Sequence, residues 1–312
     1  MEKLIHSPCS YVAYNAAASL NLPEAMTLRD TMIADPSIIL LIDMLALWPG
    51  PSISSHKSAS QFFHTLVFLS DIGICAKDPG MAIVIEAIMD SLDEDCIPCL
   101  PMVISSAHGG SGKGATTQAW ALCDAPNTLY ALVKFGVTDP RIDRAVERLA
   151  SFVGSNGCGC AVSKALGSWR GPGKKSDPCP YATLIVLRLL TCLGEKFSTH
   201  IELCAECILD LWEHSREKHP FIFYMGTDFR KLKLPYIWYD ILNTTDILAR
   251  TQSHSKDPRL AEMLRIIQSK ETAQGYIPES VYLPWKDWDF GQKKAPSDWL
   301  TFQVRKIEAA IG

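Results

Sequence analysis

Apolar residues recur along this chain with helical spacing, and no alternating stretch is long enough for a sheet. Four segments share one form: "CDAPNTLYALVKFG" (123–136), "DPCPYATLIVLRLL" (177–190), "LKLPYIWYDILNTTDILA" (232–249) and "APSDWLTFQVRKI" (295–307). In each a proline opens the apolar run, at a position where the helix N–H has no intrahelical partner. Pro126, Pro180, Pro235 and Pro296 stand 54, 55 and 61 residues apart. Between them, 139–153, 198–213 and 257–270 read as second helices, two of which begin on Asp-Pro, a cap followed by a first-turn proline. In 139–153, Ile142, Val146 and Leu149 form one stripe, and Arg141, Arg144, Glu147 and Arg148 mostly lie off it. The pairing recurs at 59–73 with 79–92 and at 8–20 with 35–47. The pattern predicts an all-α chain of about six helical hairpins, with 1–312 as a single domain closed by contact between its first and last hairpins.

Inner-to-outer connections take a few residues, whereas outer-to-inner connections are long and rich in Gly, Pro and aromatics. By alternation of direction, all the long loops leave one end of the assembly. "HGGSGKGATT" (108–117) belongs to one of them. It fails the phosphate-loop pattern, which needs a glycine where Ala107 stands and a Ser or Thr where Gly114 stands. "LRIIQSKETAQGYIPES" (264–280) is similar to the cyclase repeat motif, with Gln268, Gly275 and Tyr276 at its points, and "ERLASFVGSNGCG" (147–159) follows it less closely. On these residues, roughly 50–312 resembles the α/α toroid of squalene and terpene cyclases and protein prenyltransferase β subunits. The segments 224–242 and 279–302 look most like small bacterial squalene-cyclase-repeat proteins. The resemblance implies an α/α toroid whose inner helices point their N-termini at the face carrying the long loops.

A net charge of −4 offers no footprint for nucleic acid or an anionic membrane. The longest apolar run, "IILLIDMLALW" (38–48), contains Asp43, is too short to span a bilayer and reads as a core helix. The first residues lack a secretory pattern, and eleven cysteines in a chain this size point to reduced thiols in the cytoplasm. The oligomeric state stays open.

The long loops collect the unusual side chains. They supply Trp169, Arg170, Asp177 and Cys179, then Tyr224, Asp228, Arg230, Lys231 and Lys233, then Glu279, Trp285, Lys286, Trp288 and Asp289, with His108 beside the glycines. Acids, bases and flat rings together suit a pocket for a partly apolar anion. Within the helix expected over 235–250, Tyr236, Asp240 and Asn243 form a polar stripe, with Tyr239 alongside. Asp240 is the first candidate acid or base, followed by Asp228 and Asp177, the last also an N-cap candidate. Tyr236, Tyr239, Asn243, Arg230, Lys233, Lys286, Trp169, Trp288, His108 and Glu279 are the candidate substrate contacts.

"SDPCPYATL" resembles the Asp-x-Cys zinc pair of protein prenyltransferases at Asp177 and Cys179, but "KLKLPYIW" lacks their histidine, so no metal site is complete. The cyclases' Asp-x-Asp-Asp is absent, as is any dinucleotide fingerprint, so no cofactor is expected. An isomerase or lyase acting on a small-molecule substrate leads. A hydrolase on the same carboxylates, a prenyltransferase-like enzyme with diphosphate on Arg230, Lys233 and Lys286, and a non-catalytic scaffold for a peptide or lipid stand as alternatives.

Overall fold

Aspartate followed by proline starts three of the helices. Asp35, Asp139 and Asp257 each accept the backbone N–H two residues on, from Ser37, Arg141 and Arg259. The computed structural model describes residues 1–103, 116–169, 171, 173–290 and 293–312. Their α-helices are α1 (Ser10–Ser19), α2 (Ala25–Ile33), α3 (Pro36–Leu45), α4 (Phe62–Ile72), α5 (Met81–Met89), α6 (Ala125–Lys134), α7 (Pro140–Ala150), α8 (Pro180–Thr191), α9 (Ser198–Glu213), α10 (Ile241–Ala249), α11 (Pro258–Gln268) and α12 (Asp298–Ile311). The protein is mostly helical.

Burial sorts these helices into two layers. Every residue of α10 is buried, as is nearly every residue of α4 and α8, which is the mark of helices enclosed on all sides. By contrast, α7 buries Ile142, Ala145, Val146 and Leu149 and exposes its charged face. Helix contacts follow the order α1, α4, α6, α8, α10, α12, and α12 returns to α1. Ser7 Oγ donates to Asp298 Oδ2 at 2.6 Å, and Tyr11 meets the Trp299 ring edge-on at 5.4 Å across that closing contact. Helices α3, α7, α9 and α11 pack outside α4, α6, α8 and α10.

Four details differ from the expectation. The first hairpin holds an extra helix, α2. The apolar α3 is an outer helix that leaves Ile39 and Leu40 exposed, because its inward side is already filled by Ile38, Leu41, Ile42 and Leu45. Helix α10 begins at Ile241, not 235, and α12 begins at Asp298, past Pro296. In both, a polar cap wins the start: Asp240 and Ser297 accept an N–H that a proline cannot satisfy. Finally, among the described residues eight strands of two or three residues stitch the loops in pairs. These are β1 (Leu100–Met102) with β2 (Thr117–Ala119), β3 (Val153–Gly154) with β4 (Gly157–Cys158), β5 (Lys233–Leu234) with β8 (Ser280–Val281), and β6 (Glu271–Thr272) with β7 (Gly275–Tyr276). Of these four pairs, β5 and β8 run parallel, and they join the two long loops that precede α10 and α12.

The internal repeat is visible in atomic detail. After α7 and after α11 comes a two-stranded hairpin whose glycine is left-handed: Gly157 at φ +75° and Gly275 at φ +111°. The next residue gives its N–H to a threonine of the following inner helix, Cys158 to Thr183 at 2.9 Å and Tyr276 to Thr301 at 3.1 Å. A Cβ on Gly157 would stand 2.7 Å from Cys207 Sγ and 2.9 Å from Thr183 Oγ1. Gly157→Ala is therefore expected to cost about 2 kcal/mol through backbone strain and overpacking. A urea midpoint that falls at constant slope would show this, and an unmoved midpoint would sink it.

Candidate functional site

The start of α10 is built around one carboxylate. Asp240 is fully buried, and its Oδ1 accepts the Asn243 N–H at 2.9 Å. Its other oxygen, also buried, has no hydrogen-bond partner. Burial pushes this carboxyl up to about 7, against the pull of the Asn243 N–H, Lys233 and Arg188. Lys233, itself buried, gives its ammonium to Asp228 at 2.6 Å, and Lys231 adds a second bond to Asp228 at 3.1 Å. Asp228 is thus an exposed carboxylate at the rim, held below its ordinary range by Lys233 above all. Tyr282 sits within reach of both fields. Burial first, then the charges of Asp240, Tyr181 and Asp228, raise its phenol.

The next inner helix contributes a buried cation. Arg188 of α8 is 1% exposed. Its two terminal nitrogens donate to amide oxygens, Asn127 of α6 at 3.4 Å and Asn243 of α10, and its Nε has no partner. The Tyr130 and Tyr236 rings lie 5.6 and 5.8 Å from the guanidinium carbon. Cation–π contact yields at most ~2 kcal/mol when desolvated, whereas stripping water from the ion costs several kcal/mol. The rings and amides leave that cost only partly offset. Thr128 and Thr244, each next to one of the two asparagines in sequence, bury hydroxyls without partners.

The asparagines also hold a plug over the start of α10. Asn127 donates to Tyr181 Oη at 3.1 Å, Tyr181 donates to the Ile237 carbonyl at 3.1 Å, and Asn243 donates to the Trp238 carbonyl at 2.9 Å. Trp238 stacks on Tyr181 at 3.9 Å and on Phe223 at 5.6 Å, with the Lys57 ammonium 5.4 Å from its ring. Behind this plug, His64, Asp71, Tyr236 and Gln303 line a gap of about 10 Å³, room for one water at most. His64 donates through Nε2 to the His56 carbonyl, and burial drives it down to about 3, so it stays neutral. His56 in turn bonds Asp124, the buried residue just before α6, at 2.8 Å.

At the opposite end of α10, Asp246 binds Arg250 and Lys306, the latter at 2.8 Å. Arg250 also reaches Tyr130 Oη at 3.2 Å, which donates to Asp71. Burial alone would raise the Asp246 carboxyl, but Arg250 and Lys306 together hold it well below the usual range.

The remaining candidates scatter. Tyr236 donates to Gln303 at 3.4 Å. Tyr239 is buried against Phe223 and Phe229. Glu279 accepts the Leu232 N–H at 2.8 Å and pairs with Lys270, which makes it a loop staple. Trp288 packs in an aromatic cluster with Phe68 and Trp285, and Trp169 is half-buried with an unpartnered indole N–H. Arg230 lies 5.1 Å from the Trp212 ring in an outer groove, and Lys286 is exposed, so neither joins Lys233. Asp177 is not the cap of α8. That position belongs to Cys179, whose buried thiol lies beside Cys123. His108 and Arg170 lie outside the described residues. Among the described residues, no three His, Cys, Asp or Glu side chains gather as a metal would require. A hollow of about 680 Å³ lies apart from these residues, in an outer groove beside α9 lined by Glu206, Asp210 and His254.

Arg188, Asn127, Tyr181, His56 and Asp124 escaped the sequence reading. Two signals pointed to them: a lone arginine inside "TLIVLRLL", and an Asn-Thr pair repeated on the first turns of α6 and α10. No family model, curated protein or solved structure matches this chain.

Proposed function

We propose that the closed contact order is an α/α toroid and that the chain is an enzyme which moves protons with Asp240. Its substrate is small, partly apolar and anionic, and its reaction is an isomerisation or lyase step that needs no redox cofactor. One observation carries this reading: a fully buried carboxyl poised near 7, with one oxygen committed to capping and the other free to exchange a proton. The rings of Tyr181, Trp238 and Tyr282 give an apolar surround, and Arg188 and Lys233 give positive charge. Eleven free cysteines support a reducing compartment such as the cytoplasm. The prenyltransferase-like reading lacks its cation cluster, because Arg230 and Lys286 stand apart from Lys233. The scaffold reading draws support from the gap that Tyr236 lines, where only about 10 Å³ is open, and from the stacked aromatics beside the start of α10. In the enzyme, the plug at 235–240 has to shift for substrate to enter.

The test uses chemistry blind to substrate identity. The protein is incubated in deuterium oxide with a small-molecule cell extract, and products are read by mass spectrometry. The enzyme reading expects at least one compound to gain carbon-bound deuterium or to convert to an isomer, with the change lost in Asp240→Asn. No change with wild type, or an equal change with both proteins, overturns it.

A further inference from the structure

We infer that Arg188 is the docking point for a carboxylate-bearing ligand inside the ring of inner helices. The inference rests on reading that interior as a ligand site, and it names the group that the ligand must carry. A guanidinium has five N–H donors in a fixed fork. Here two are bound to neutral amide oxygens, and Nε is one of the donors left without a partner. Buried charges in proteins are paired, and every other arginine or lysine with an ion pair described above meets a carboxylate, as Arg250 and Lys306 meet Asp246. Arg188 is more buried than either and meets none within ion-pair distance among the described residues. The residues that follow its two asparagine partners in sequence are orphaned as well: the Thr128 and Thr244 hydroxyls are buried without a hydrogen-bond partner.

The chemistry of the missing partner follows from the count of charges. One cation without a counter-ion matches one negative charge, and the planar fork matches the two oxygens of a carboxylate. A diphosphate would bring surplus charge to a position near Asp240, where no second free cation stands among the described residues. The Tyr130 and Tyr236 rings flank the guanidinium, and because the gap that Tyr236 lines holds only about 10 Å³, the apolar body of a ligand enters as the plug at 235–240 shifts.

Benzoate and 3-phenylpropionate are the probes, with benzyl alcohol and 3-phenylpropanol as neutral isosteres and phenyl phosphate as a dianion, all at constant ionic strength. Binding is read by calorimetry and by thermal shift. The carboxylates are expected to bind wild type saturably and at least tenfold tighter than their isosteres or phenyl phosphate. Arg188→Gln is expected to lose that preference. Because Arg188→Gln can fail to fold, Asn127→Asp supplies the second arm. It places a carboxylate against the guanidinium, and it is expected to raise the melting temperature and weaken benzoate at least tenfold. Equal binding of acids and neutral isosteres, tighter phenyl phosphate, no binding at all, or unchanged benzoate affinity in Asn127→Asp each overturns the inference. Benzoate binding retained in Asp240→Asn separates this site from the proton-transfer reading: with no deuterium incorporated, that reading falls while the Arg188 site stands.

Discussion

Asp240→Asn is expected to melt several degrees higher than wild type at pH 8 and at the same temperature near pH 4. The carboxyl is raised from 3.8 in the unfolded chain to about 7 in the folded one. Between those values the folded state holds a proton that the unfolded state has released, so stability falls as pH rises. At ~1.4 kcal/mol per unit over about three units, the loss is on the order of 4 kcal/mol and is complete above pH 7. Asparagine keeps the cap, because its carbonyl oxygen can accept the Asn243 N–H as Asp240 Oδ1 does. Its NH₂ takes the place of the oxygen that bonds to nothing. The substitution thus removes the ionisation penalty and breaks no bond, while a proton-transfer route worth ~10²–10⁴ in rate disappears. Calorimetric melts from pH 4 to 8 would check it. A variant that melts lower than wild type at pH 8 would mean that the free oxygen has a partner after all.

Asp246→Asn should do the opposite. Asp246 is the common partner of Arg250 and Lys306, and neutralising it leaves two cations facing each other. Breaking a buried pair costs ~3–5 kcal/mol. Lys306 is 39% exposed at its side chain, so water absorbs part of the loss and the lower end is expected. The folded-state value lies below the unfolded one, so the stabilisation is present above 3.8 and is lost as pH falls through the folded value. Urea denaturation should show a deficit of about 3 kcal/mol at pH 7, narrowing by pH 3. A deficit that is absent at pH 7, or equal at both pH values, would rule the triad out as the cause.

The helices were legible because their signals are local. Asp139-Pro140 and Asp257-Pro258 start α7 and α11 where pattern alone puts them, and the stripe of α7 faces inward as its spacing demands. Pro235 misled because a helix start is a competition. Asp240 offers an acceptor to the N–H groups that Pro235 cannot satisfy, so the backbone stays non-helical until Ile241. Asp240 was singled out because an acid in an apolar run is conspicuous, and the structure buries it at the start of α10. Asp228 was expected beside Asp240 but lies outside, because nothing in "DFRKLK" tells that Lys233 turns inward and the carboxylate stays exposed. Arg188 was missed for a related reason. Its significance depends on what it lacks, and an absent counter-ion is a three-dimensional fact that spacing along a chain does not encode.

The return of α12 to α1 changes the arithmetic of a repeat array. In an open stack the terminal repeats have one neighbour each, so unravelling starts there and spreads at modest cost. A circular order of contacts has no terminal repeat. Each inner helix is flanked twice, and the first to leave must give up two interfaces rather than one.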